Sequence, residues 1–137
     1  KASNYEVADD EILITADTLV MVDNTILGKP KDEKEAFDML RLLSNKTHTV
    51  ATGVCLKTSN KSISFTDVTE VCFKELSDEE INYYVSQFKP FDKAGSYGIQ
   101  EWIGYIGITS IKGSYFNVMG LPVHRVYENI QELEGNN

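Results

Sequence analysis

The stretch ILITADTLVMVD, residues 12–23, constrains the chain more than any other part of it. An apolar run of this kind over 12–22 predicts a buried β-strand, which needs further strands beside it and a layer packed over it. Asp17 and Thr18 interrupt the run in its middle. An ionised carboxylate left unpaired in apolar surroundings is strongly unfavourable, or its pKa rises. Two solutions remain. Either the pair is bonded internally, or the strand opens at that point into a cleft where Asp17 meets a ligand.

The companions of this strand are legible. Asp23-Asn24 tolerates positive φ and makes VDNT a hairpin turn, with the chain returning along 25–27. Residues 48–57 and 63–73 read as two long strands joined by the polar turn TSNKS. Two more strands are expected around 103–111 and 114–119, with Gly113 between them. Pro30 opens a helix running to about Leu43, in which Ala36, Met39, Leu40 and Leu43 share one face. Asp32 and Glu33 in its first turn complement the helix dipole. Ser77 and Glu80 form a capping box for a second helix, with Ile81, Tyr84, Val85 and Phe88 on one face and Pro90 as its stop. Pro122 opens a final helix with Val123, Val126, Ile130 and Leu133 turned inward, and the tail EGNN frays. Hairpins alternate with single helices, without repeat or linker. The expectation is one α/β domain over 1–137 with a mixed sheet and flanking helices.

The composition is that of an ordinary globular chain: 137 residues, 42% hydrophobic and 25% charged. No apolar run is long enough to span a bilayer, and KASNYEVADDE is no signal peptide, so no membrane partner is expected. The net charge of −8, with no basic stripe to offset it, argues against a general binder of nucleic acid polymers. An anionic ligand would then need a few placed lysines or a metal ion to hold it. Cys55 and Cys72 have no metal spacing and lie in apolar, β-like stretches; they read as buried reduced thiols, hence a cytoplasmic setting. There is no initiator Met, and the opening residues resemble the tail of a helix, as in a piece of a longer chain.

Three segments combine polar residues and glycines beyond what packing requires. Asp17-Thr18 is the first. Gly28-Lys29-Pro30 puts a lysine just before a helix N-terminus, a place suited to phosphate, or simply a solvated turn. In FDKAGSYGIQ, residues 91–100, Asp92 and Lys93 precede two glycines three apart, and Gln100 ends the run. Glycines let a backbone approach a ligand, and Gln offers a donor and an acceptor to a base edge; the bland alternative is a loop after a helix. His48 and His124 read as structural or surface residues. DTLV resembles part of an aspartyl-phosphatase signature, but that chemistry wants a second carboxylate where this chain has Leu19.

Taken together, ITADTLVMVDNTILGKPKDEKEAFDMLRLLSNKTHTVATGV, ELSDEEINYYV, DKAGSYGIQ and GSYFNVMGLP resemble the Maf family of nucleoside triphosphate pyrophosphatases, in order over nearly the whole chain. The resemblance implies an α/β fold with a cleft between two lobes, related to the inosine triphosphatase fold, and commonly a homodimer. It implies that Asp17 is the catalytic acidic residue and that Lys29 and Lys93 contact phosphate. Thr18 and Gln100 match positions that govern base choice, in a pairing similar to the branch acting on dTTP and UTP, extending to modified pyrimidine nucleotides. The implied reaction cuts between the α and β phosphates, yielding a monophosphate and pyrophosphate. An aspartate near its ordinary pKa of ~3.9 is a poor base at neutral pH, so Asp17 is expected to work with Mg²⁺ or Mn²⁺. The family's S-x-R-R segment and a glutamate near the metal do not occur in this sequence, which therefore reads as lacking the N-terminal portion of the family domain. The competing expectation is a nucleotide-binding regulator of cell division or septum formation that binds without turnover.

Overall fold

The computed structural model describes residues 6–135. Five strands form one sheet in the order β2-β1-β3-β4-β5. They are β1 (Leu13–Val22), β2 (Thr25–Leu27), β3 (Thr47–Lys57), β4 (Ser62–Phe73) and β5 (Ile108–Lys112). The helices are α1 (Glu33–Leu43), α2 (Asp78–Phe88), α3 (Trp102–Gly107), α4 (Tyr115–Met119) and α5 (Val123–Gly135), with a 3-10 turn at Ala94–Ser96. Every strand pair among the described residues is antiparallel, where a mixed sheet was expected. The reason lies in the order. β2 and β3 run the same way, but β1 lies between them, so the crossover through α1 creates no parallel pair.

The local signals mostly hold. Asp23 and Asn24 take φ of 50° and 62° in the β1–β2 turn, the positive values that a tight hairpin demands. The Ser77–Glu80 capping box forms at both of its hydrogen bonds. α1 starts later than Pro30: Asp32 is its cap, its side chain accepting from the Glu35 amide at 2.8 Å.

Two expectations about the C-terminal third are corrected. Residues 103–107 are helix α3 and not strand, and 114–119 form helix α4 behind Ser114, whose hydroxyl accepts from the Asn117 amide. WIGYIG is rich in strand-favouring residues, but tertiary contacts override that preference. A Cβ on Gly104 would stand 1.9 Å from the Ile99 carbonyl oxygen, and one on Gly107 3.0 Å from the Phe73 ring. Two absent side chains thus let the turn close. In α5, Val126 and Leu133 are buried and Ile130 half-buried as expected, but Val123 is exposed. The helix tail read into the opening residues, where it concerns 1–5, and the fraying of Asn136 and Asn137 lie outside the described residues.

Alternation along the strands assigns the faces. His48, Val50, Thr52, Val54 and Leu56 of β3 are buried, and their neighbours in between are not. Helices pack on that one face. The other stays open: Leu19 and Val68, in one register row through Ala51, are 42% and 55% exposed. So β1 is less buried than its composition suggested. Only Val20 and Val22 in it are fully buried, because its first part has β3 on one side and no strand on the other among the described residues. Cys55 and Cys72 are free thiols and half-buried, a correction to the buried reading.

The covered face carries two hydrophobic clusters. One joins Val20, Val50, Val71 and Phe73 to α1, α2 and α3; the other joins Val54 and Leu56 to α5. Between them, in register, runs the polar row Thr18–Thr52–Asp67. Thr18 and Thr52 share a hydroxyl hydrogen bond of 3.0 Å, and Asp67 accepts from Arg125 of α5 at 3.2 Å. This seam is where the cleft opens.

Candidate functional site

A cavity of about 250 Å³ lies over the seam, and Asp17, Thr18, Lys29, Lys93 and Gln100 all line it. Its size is at the small end for a ligand pocket. The five residues come from three separate parts of the chain, so their meeting has to be built.

Asp17 and Thr18 come from the edge portion of β1. Asp17 is exposed, and Thr18 half-buried. This answers the question that the strand posed: the carboxylate is not sealed into a core but leaves β1 in the open-face row of Gly53 and Thr66, at the strand edge that also borders the cavity. Thr18 is also internally bonded, through Thr52. The Thr52 hydroxyl in turn contacts the Asn117 carbonyl at 3.2 Å, and the fully buried Asn117 side chain donates to Val50 and Asp67 carbonyls and to the Thr69 hydroxyl. Those bonds seat α4 over β3 and β4, and Met119 and Gly120 at its end form one wall of the cavity.

The two lysine loops are tied to each other by backbone. The Gly95 amide donates to the Gly28 carbonyl at 3.1 Å, which fastens the GKP turn to the DKAG turn and brings Lys29 and Lys93 to one cavity. Gly95 has φ +71°, and a Cβ there would lie 3.1 Å from the Val20 methyls. Only glycine suits both the left-handed backbone and the close approach to β1.

Tyr97, also in the cavity wall, is anchored from behind. Its hydroxyl shares a 2.5 Å hydrogen bond with His48 Nε2, and the His48 ring stacks on Phe73 with centroids 5.5 Å apart. Burial lowers the His48 pKa from 6.5 to about 4, so the ring is neutral at physiological pH. The structural reading of His48 holds, and His124 is exposed at the start of α5. Sequence reasoning missed the anchors Tyr97, Thr52 and Asn117. Each lies inside a quoted motif, but nothing local to it says which distant residue it bonds.

The charges around the cavity are organised for an anion. Asp92 is held below the ordinary carboxylate range, first by its hydrogen bond from Lys93 and finally by the charge of Lys29. Both lysines therefore act on one point. Asp17 also borders a shallower depression of about 510 Å³ on the open face, with Thr15, Gly53, Cys55 and Thr66. Among the described residues no lysine or arginine lines that one. The cavity that holds both lysines is accordingly the candidate site.

Among the described residues no three His, Cys, Asp or Glu side chains gather into a metal-holding group. Asp17 and Asp92 are the carboxylates lining the cavity. Two hard oxygen donors of this kind suit Mg²⁺ or Mn²⁺ carried in with a phosphate ligand, since such ions use one or two carboxylates and complete their shell with water and phosphate. They do not suit a resident ion held by protein alone.

A one-sided α/β sheet whose cleft gathers two loop lysines, a strand carboxylate and a side-chain amide defines the class: an α/β protein with a candidate anion-binding cleft. Within that class, the chain belongs to the Maf-like protein family, whose profile matches residues 1–133. It is 61% identical over 124 residues to a dTTP/UTP pyrophosphatase of Phocaeicola vulgatus, covering 90% of this chain and 64% of that protein. It is 59% identical over 129 residues to one of Flavobacterium psychrophilum, covering 93% and 66%, and 53% identical over 135 residues to one of Parabacteroides distasonis, covering 97% and 70%. The chain thus spans about two thirds of the length of these curated relatives.

Proposed function

We propose that this protein hydrolyses dTTP and UTP between the α and β phosphates, releasing the nucleoside monophosphate and pyrophosphate. The observation that carries the reading is the convergence of Asp17, Lys29, Lys93 and Gln100 on one cavity, with the two lysine loops locked by the Gly95–Gly28 bond. The relatives named dTTP/UTP pyrophosphatase support the same substrates.

In this mechanism Lys29 and Lys93 hold the phosphates and counter the charge that grows on the leaving pyrophosphate. Their fixed ammonium groups matter more in a chain of net charge −8. Asp17 orients the attacking water, and Asp17 and Asp92 would supply oxygens to a divalent ion brought by the nucleotide. Such an ion neutralises phosphate charge and lowers the pKa of bound water. Gln100, exposed at the cavity mouth, offers its carbonyl and amide to the imide edge of thymine or uracil. Thr18, held by Thr52, shapes the adjacent wall. The ligand is a free nucleotide and not a nucleic acid polymer, and no helix among the described residues is long and apolar enough to cross a membrane. A homodimer and a cytoplasmic location belong to the same proposal; sedimentation tests the first.

The deciding experiment is pyrophosphate release from dTTP with Mn²⁺, on the full-length protein and on its Asp17→Asn variant. Turnover lost in a folded variant supports the assignment. Equal rates in both refute the role of Asp17, and tight dTTP binding without release in the unmodified protein would favour a nucleotide-binding regulator instead.

A further inference from the structure

Outside the lining of the cavity, a buried tyrosine holds a glutamate that approaches the Lys93 side chain. Tyr84, on α2, is fully buried. Its hydroxyl donates to Glu101 Oε1 at 2.5 Å and accepts from the Gly98 amide at 3.0 Å. The Glu101 amide donates to the Gly98 carbonyl at 3.0 Å, closing the turn that carries Gln100. One phenol therefore pins both ends of that turn. Burial, and then the bond to Glu101, raise the Tyr84 pKa, which keeps the hydroxyl a donor.

The lysine lies across this turn. A Cβ on Gly98 would stand 2.8 Å from Lys93 Cε and 3.0 Å from Glu101 Oε1, so the missing side chain is what allows the two to lie over it. Lys93 Nζ is 3.9 Å from Glu101 Oε2 and 3.2 Å from Asp92 Oδ1. These two carboxylates differ. The Asp92 side chain is 77% exposed, whereas Glu101 is 24% exposed and fixed by Tyr84. A mobile partner competes with a ligand; a fixed one sets where the ammonium points. A lysine has a long flexible stem, and restricting it beforehand lowers the ordering cost of binding.

We propose that Tyr84 and Glu101 are positioning residues: Tyr84 holds Glu101 and the 98–101 turn, and Glu101 tethers the Lys93 ammonium so that it faces the phosphates of the substrate. This rests on the reading of Lys93 as a phosphate-binding residue of a nucleoside triphosphate site. It adds two groups that touch neither substrate nor metal: Glu101 acts through Lys93, and Tyr84 acts through Glu101 and the turn that carries Gln100.

The test is a double-mutant cycle on the full-length protein, with α,β-imido-dUTP as a non-hydrolysable probe and calorimetry as the readout. Tyr84→Phe keeps the ring and removes the hydroxyl. Loss of one such hydrogen bond should weaken probe binding about fivefold to tenfold. In the Lys93→Ala background the same change should have a clearly smaller effect, since only the share carried by the Gln100 turn remains. Glu101→Gln, which keeps an acceptor for Tyr84 but loses the charge, should behave likewise and serves if Tyr84→Phe does not fold. An equal loss in both backgrounds overturns the proposal, because it marks general structural support. Unchanged affinity in Tyr84→Phe and Glu101→Gln, or in Lys93→Ala, also overturns it. Failure of the unmodified protein to cleave dTTP while it binds the probe would sink the pyrophosphatase reading alone, and the coupling would still be measured.

Discussion

Lowering the pH should destabilise this fold through His48. The ring is 1% exposed, its Nε2 is bonded to Tyr97, and its Nδ1 has no hydrogen-bond partner among the described residues. Charging it means placing a cation among Phe73, Tyr97 and strand backbone, and burial accordingly lowers its pKa from 6.5 to about 4. The unfolded chain thus takes up this proton near the higher value and the folded chain only near the lower one. Stability is complete above the unfolded value and falls as pH drops toward the folded one. For a single group with these two values, the loss between about pH 7.5 and about pH 5 is about 2 kcal/mol, rising to about 3 kcal/mol when protonation is complete. Glu80 and Asp92 are held below their ordinary values, so they withdraw stability only at more acid pH. Urea unfolding followed by tryptophan fluorescence at the two pH values measures the difference. His48→Gln, whose amide can still meet the Tyr97 hydroxyl but does not titrate, should flatten the dependence. A parallel loss of stability in the unmodified protein and in His48→Gln over that range would refute this role of His48.

Gln100→Ala should bring the specificity constants for dTTP, UTP, CTP and GTP closer together, since a site that bonds a base edge rejects analogues that leave it unpaired; equal proportional loss on all four would make Gln100 structural. Gly95→Ala should destabilise by about 1–3 kcal/mol, from the positive φ and the contact with Val20. It should also raise KM by separating the two lysine loops, and an unchanged midpoint and KM would refute that role. Asp17→Asn should shift the unfolding free energy by no more than about 0.5 kcal/mol, because the residue is exposed; a large loss would mean that the carboxylate serves packing.

The parts legible in the sequence were those with local causes. The hairpin at Asp23-Asn24, the cap at Ser77 and the periodic faces of α1 and α2 each depend on residues within one turn of one another. The lysine segments were also visible, because a glycine or proline beside a charge is unusual in a packing role. What escaped was non-local. Nothing in WIGYIG announces that Gly104 must lie against the Ile99 carbonyl, and strand-like residues there concealed a helix. For α4 the signals were present and outweighed: Ser114 caps it and Gly120 ends it in a left-handed conformation. The antiparallel sheet was hidden in the strand order, which no single segment encodes. The anchors Thr52, His48 and Tyr84 each depend on a partner distant in sequence, and hydrogen bonds between distant motifs leave no periodic trace.

The polar row that divides the two hydrophobic clusters has a consequence for how the molecule loosens. β3 and β4, at 11 and 12 residues, pass beneath both clusters, far beyond the usual strand of ~5–6 residues. They act as a shared plank under two separately packed blocks, α1–α3 on one and α5 on the other. Opening one block need not disrupt the side-chain packing of its neighbour, and the smaller, around Val54, Leu56, Val126 and Leu133, has less apolar contact to lose. Its amides should exchange with solvent sooner than those over Val50 and Val71, making it the weaker cooperative unit. A nucleotide lying across the boundary would suppress both openings together.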